Sequence, residues 1–219
     1  MLLKENEVIV FQGDSITDGN RGRNNDLNHI MGHGYQYIVA AKLHVDSLGR
    51  GLKTYNRGVG GNRIADLYGR WKEDTLNLNP TILSILIGVN DIGAIRRDNS
   101  GSEPARFEKI YRNLLQECLE SNPQMRFVLM EPFIRKEFAE EDERTIHYKA
   151  NIKGYQQAVK KIAEEFHAIF VPLQEMFDEA AKVVPYEELI WDCIHPTITG
   201  HELIARQWLR VVEKELYTH

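Results

Sequence analysis

The sequence predicts a doubly wound α/β fold, a three-layer α/β/α sandwich around a five-stranded parallel sheet. Short runs of consecutive apolar residues recur along the chain, as in strands buried on both faces. Longer stretches with helical spacing separate them, the mark of crossover helices. Polar or glycine-rich segments follow several of the runs, at strand ends where open α/β sheets bind ligands.

Residues 8–11 read as the first strand and lead to Gly13. Residues 35–43 have helical spacing, and 52–56 form a second strand that closes on Gly58, Gly60 and Gly61. Residues 64–71 are helix-like. The run 82–87, introduced by Pro80 and stopped by Gly88, is the clearest buried strand. Phe107, Ile110, Tyr111, Leu114, Leu115 and Cys118 line one face of a helix over 104–121. Residues 127–130 and 168–171 are the remaining strands, each stopped by a proline. Helices are expected over 144–166, 173–183 and 199–216. The polar stretches 18–34 and 134–147 are candidate substrate loops or plain solvated connections.

With 219 residues, 42% hydrophobic, the chain suits one domain over 1–219. A net charge of −5 argues against nucleic acid and against a polybasic membrane surface. No stretch approaches the roughly 20 apolar residues of a membrane span. The first residues lack a signal peptide's basic start and long apolar run. Cys118 and Cys193 read as free thiols of a reducing compartment. A cytoplasmic protein is expected.

Four polar blocks carry the chemistry: Gly13-Asp14-Ser15, the segment from Asn56 to Asn62, Gly88-Val89-Asn90-Asp91, and Asp192-Cys193-Ile194-His195. Acyl transfer needs a hydroxyl, a base for its proton, and a partner that fixes the base's tautomer. Asp192, three residues before His195, can aim its carboxylate at Nδ1 and leave Nε2 for Ser15. The developing oxyanion needs donors. Candidates are the backbone N–H of Ser15, that of Gly61, and the uncharged Asn90 amide. The adjacent Gly60 is the alternative to Gly61.

In this order the four blocks resemble the SGNH, or GDSL-type, hydrolases, over about residues 7 to 210. Ile16 stands where leucine is usual. The resemblance implies Ser15 as nucleophile, Asp192 and His195 as its triad partners, Gly61 and Asn90 as oxyanion donors, and no cofactor. The stretches 13–18, Arg70-Trp71, 88–92 and 191–196 are similar to the family's intracellular acetylxylan esterases. That implies acetyl removal from xylo-oligosaccharides and a homo-oligomer, while the strand and helix pattern predicts a flavodoxin-like domain. Trp191, Trp71 and Tyr35 are candidate sugar platforms, with core packing the alternative for each. Asp14 and Arg63 are candidate substrate contacts; turn bonding and solvation are their plainer roles. Asp91 is expected to orient its loop, and Asp18 either lines the pocket or caps a helix. His29 and His33, near Asp26, have metal-ligand spacing, but Gly32 and Gly34 weaken a helix there.

Two rival readings stay open. A lysophospholipase or acyl-thioesterase could use the same triad, and a non-catalytic module could bind a small molecule or phosphate at the glycine-rich ends. Against the second, neither G-x-x-x-x-G-K-[ST] nor G-x-G-x-x-G occurs. The G-x-S-x-G elbow of α/β-hydrolases is also absent.

Overall fold

A computed structural model describes residues 4–24 and 26–217. Residue 25, inside the polar stretch 18–34, and the ends of the expected 1–219 domain lie outside the described residues. Five strands, β1 (Val8–Gly13), β2 (Lys53–Asn56), β3 (Ile82–Leu86), β4 (Arg126–Met130) and β5 (Ile169–Val171), form one sheet. Its order is β2-β1-β3-β4-β5 and every pairing is parallel. This is the predicted three-layer α/β/α sandwich, with flavodoxin-like strand order.

The register decides where the polar blocks meet. Phe11 pairs Asn56, Gly13 pairs Leu86, Leu86 pairs Met130 and Met130 pairs Val171. The strand ends therefore share one edge, and the first three blocks emerge side by side. β1 runs two residues past its apolar stretch, because buried Gln12 donates to the Asp74 carbonyl at 3.0 Å and to Thr75 Oγ1 at 2.8 Å. With both amide N–H donors partnered the side chain stays in the strand, although its Oε1 has no partner among the described residues.

The helices are α1 (Ser15–Asp18), α2 (Tyr35–Asp46), α3 (Ile64–Gly69), α4 (Trp71–Asp74), α5 (Val89–Asp98), α6 (Pro104–Ser121), α7 (Glu143–Glu165), α8 (Gln174–Ala180) and α9 (Ile198–Tyr217). α2, α8 and α9 pack together on one side, and α3, α5, α6 and α7 on the other. The sequence pattern misses α5 and reads its start as loop. Gly93 interrupts its pattern, and an added Cβ there would meet the Tyr148 hydroxyl at 2.4 Å. Glycine lets α7 approach at the cost of helix propensity. The expected helix over 64–71 is divided at Arg70, whose backbone (φ −122°, ψ 12°) leaves the helical range.

α9 sets the position of the last block. Trp208 is fully buried, and its Nε1 donates to Ser84 Oγ on β3 at 3.0 Å. Its ring packs 5.9 Å from Phe11, which also meets Tyr35 edge-on. Emptying such a site costs about 3–5 kcal/mol. Among the described residues, no helix is long and apolar enough to cross a membrane.

Candidate active site

Ser15 opens α1, a single turn directly after β1. Asp14 caps that turn, its Oδ1 accepting from the Ile16 N–H at 3.0 Å. The hydroxyl is thereby held above the strand end, 2.8 Å from His195 Nε2. His195 Nδ1 lies 2.8 Å from Asp192 Oδ2. In the tautomer that serves both contacts, Nδ1–H donates to Asp192 and Nε2 accepts from Ser15. Asp192 is itself fixed by its own loop, since Oδ1 accepts from the backbone N–H groups of Ile194 and His195, both at 2.8 Å. The loop is closed at its base by Trp191 N–H donating to the His195 carbonyl and by an antiparallel bridge between Ile190 and Pro196.

Burial pushes the Asp192 carboxyl up. The hydrogen bonds from the His195 ring and from two backbone N–H groups outweigh it and hold the carboxyl at about 2. The same bond raises His195, against the opposing effect of burial. The pair thus favours an imidazolium next to a carboxylate, the charge state that proton abstraction from Ser15 creates.

The second and third blocks converge on the same place. Gly60 lies beside Ser15: a Cβ built on it would be 3.9 Å from that of Ser15. Its N–H is committed to Asp18 Oδ2 at 2.9 Å. Gly61 has φ 81°, a left-handed backbone that suits glycine, and no hydrogen bond to a described residue engages its N–H. Asn90, on the first turn of α5, donates one amide N–H to the Asn62 carbonyl at 3.1 Å. One donor remains for a ligand.

Asp91 is buried below this loop and accepts from Ile64 N–H at 3.0 Å and Ser102 N–H at 3.1 Å. Asp18 bonds Gly60, Arg21 and Arg23. Three supports were not legible from spacing. Arg70 donates to Asn62 Oδ1 at 2.7 Å, to the Arg57 carbonyl at 2.8 Å and to the Gly13 carbonyl at 3.3 Å. Asn56 donates to the carbonyls of Thr17, Asp18 and Met31 and accepts from Gly58 N–H. Arg144 stands 3.8 Å from Asp192 Oδ2. The sequence marks Arg70 in the stretch Arg70-Trp71 and Asn56 at the start of the second block, but not what either binds, and Arg144, on the first turn of α7, carries no such mark.

Several candidate contacts are placed elsewhere. Asp14 is 0% exposed and cannot meet a substrate; it acts on the turn, and burial pushes its carboxyl up to about 7. Arg63 spends its guanidinium on Asp66 and the Ser100 carbonyl. Tyr35 and Trp71 belong to the core, so neither is a sugar platform. Trp191 is 63% exposed, its ring stacked 6.2 Å from that of His195. His29 pairs with Asp26 on an exposed loop, and among the described residues no three metal-ligating side chains gather. Of the two candidate loops, 134–147 contributes Arg135, Phe138 and Arg144 to a cleft beside Trp191 and Asp192.

Comparison with known proteins shows the family. The model of the GDSL-like lipase/acylhydrolase family matches residues 11–203. The chain belongs to this family. An acetylxylan esterase from Geobacillus stearothermophilus is 32% identical over 97% of this chain and 96% of its own. Its solved structure superposes with a TM-score of 0.83, and its solved forms include catalytic mutants with a serine or an aspartate replaced by alanine. A chain from Parabacteroides merdae described as a GDSL-like lipase is 35% identical, with a TM-score of 0.89 over 95% of this chain and 96% of that one. The family and the esterase relative together mark this GDSL-like chain as a carboxylic ester hydrolase.

Proposed function

We propose that this chain is a serine esterase that removes short acyl groups, acetyl foremost, from xylo-oligosaccharides or related carbohydrates. The observation that carries the proposal is the unbroken hydrogen-bond line from Ser15 Oγ through the His195 ring to Asp192. Ser15 attacks the ester carbonyl while His195 takes its proton. His195 then returns the proton to the departing alcohol, and next activates the water that releases the acyl group. Asp192 holds the ring and stabilises its cation without taking the proton. Ser15 N–H, Gly61 N–H and the second Asn90 amide proton receive the oxyanion. Gly61 is preferred to Gly60, because Asp18 already claims the Gly60 N–H.

The acetyl-carbohydrate specificity rests on the likeness to an acetylxylan esterase, on the polar loop 18–34, and on exposed Trp191 beside His195. A sugar ring stacks well on such a face. The buried, unbridged Cys118 and Cys193 fit a cytoplasmic setting. Exposed Tyr37, Val45 and Leu48 fit a homo-oligomer.

The test is hydrolysis of p-nitrophenyl acetate and peracetylated xylose beside a long-chain ester, with Ser15→Ala as control. Fast, Ser15-dependent acetate release with little from the long chain is expected. Preference for long chains would reassign the chain to lysophospholipase or thioesterase chemistry. Hydrolysis indifferent to Ser15→Ala would remove the triad.

A further inference from the structure

Behind the loop that carries Gly61, at the β2 edge, lies a second cleft of about 360 Å³. Arg21, Arg23, Arg57, Thr54, Tyr55 and Leu27 are among the residues that line it. Ser15, Gly61, Asn90, Asp192 and His195 are not among its lining residues. Three arginines line one cavity in a chain of net charge −5.

Their donors are unevenly spent. Arg23 gives its terminal nitrogens to Asp18 at 3.0 and 2.7 Å. Arg21 uses only Nε, on the Gly58 carbonyl at 2.9 Å. The Arg57 side chain makes no hydrogen bond to any described residue. Its Nε is buried and unpartnered, 4.0 Å from Asp74 Oδ1, and its guanidinium stands 5.9 Å from the Tyr55 ring centre. Asp74 is meanwhile held by Arg70 at 2.9 Å. Four arginines are thus answered by two carboxylates. The imbalance is felt at Arg21, pushed down to about 10 by burial and then by the charges of Arg23 and Arg57. A cavity rich in donors and short of acceptors suits a ligand that brings oxygens, and the planar fork of arginine matches carboxylate and phosphate geometry.

We propose that this cleft binds an oxyanion, the carboxylate of an acidic sugar or a phosphate group, on the uncommitted N–H groups of Arg21 and Arg57. The volume falls in the range of small-ligand sites, about 300–1,000 Å³, so the anion can carry a sugar-sized body. The site also touches the ester site's scaffold. Arg21 holds the Gly58 carbonyl, and Asp18, the partner of Arg23, holds the Gly60 N–H. Direct hydrogen bonds thus join the anion site to the loop that presents Gly61.

Isothermal titration with sodium phosphate and with sodium glucuronate, each against sodium chloride at equal ionic strength, tests this on wild type and Arg57→Gln. Saturable binding of at least one anion is expected, weakened about tenfold or more in Arg57→Gln. Phosphate alone assigns a phosphate group, glucuronate alone an acidic sugar, and both the shared oxyanion chemistry. No saturation beyond chloride, or equal affinity in Arg57→Gln, overturns the proposal. If Arg57→Gln does not fold, phenylglyoxal labelling of Arg57 in the wild type decides: protection by either anion supports the site, and unchanged labelling refutes it. No ester is turned over in these measurements, so their failure is distinct from failure of the esterase reading.

Discussion

The floor beneath Ser15 and the loop that carries His195 each hold an aspartate, and the two are tuned in opposite directions. Asp14 is fully buried, accepts one backbone N–H through Oδ1, and leaves Oδ2 without a partner. Burial therefore prevails and its carboxyl rises to about 7. Asp192 is partly buried too, yet it gathers the His195 ring and two backbone N–H groups, and it falls to about 2. Depth and acceptor satisfaction together separate a carboxylate that can support a cation from one that is tuned toward the neutral form. The first suits proton chemistry and the second suits a structural cap.

The largest expected effect tests that division directly. Asp192→Asn should lower kcat by about 10³–10⁴, because the imidazole loses the acceptor that sets its tautomer. Asp14→Asn should change kcat by less than about tenfold. Steady-state kinetics on p-nitrophenyl acetate would invert the comparison if the two losses were reversed. The pH profile sharpens it. Asp192 raises His195, so kcat/KM of the wild type should climb through a midpoint above about 6.5, the ordinary histidine value. In Asp192→Asn that midpoint should move down; an unmoved limb would belong to another group.

Asn90→Ala should cost about 10²–10³ in kcat with KM little changed, as loss of an oxyanion donor does. A pure KM effect would make Asn90 a ground-state contact. Trp191→Ala should raise KM for acetylated xylose about two- to tenfold, the worth of one aromatic contact, and leave p-nitrophenyl acetate hydrolysis nearly untouched. Equal losses on both substrates would assign the ring to holding His195.

The smallest effect returns to Asp14. Its folded pKa lies above its unfolded value, so ionising it costs stability as pH rises from about 4 to about 7. Asp14→Asn keeps an oxygen for the Ile16 N–H and removes that cost. Its Tm relative to wild type should rise between pH 5 and pH 8 by a few degrees, at about 2–4 °C per kcal/mol. A constant difference across that range would mean that Asp14 does not ionise there. Asp192 has the opposite sign: its contribution is present above the unfolded value and is lost as pH falls through about 2.

The parallel sheet, the order of the four blocks and the spacing of Asp192 and His195 were legible because each is local. A buried strand shows as four or five adjacent apolar residues, and an aspartate three residues before a histidine can close one turn. The α5 helix was not legible, because Gly93 serves Tyr148 on α7 rather than its own helix. Nor was the fate of Asp14, Arg63 and Tyr35, whose exposure depends on what packs over them.

Sequence by itself determined the elements, the residue types and the four polar blocks. Tertiary structure alone decided that Ser15 and His195, 180 positions apart, stand 2.8 Å from each other. It also decided that Arg70 and Asn56 bind the intervening loops, and that Arg57 lines a cleft with its side chain hydrogen-bonded to none of the described residues. Helix and strand periods are set by neighbours within a few residues. Distances between distant residues follow from sheet register, from α9 packing through Trp208, and from where buried polar groups find partners.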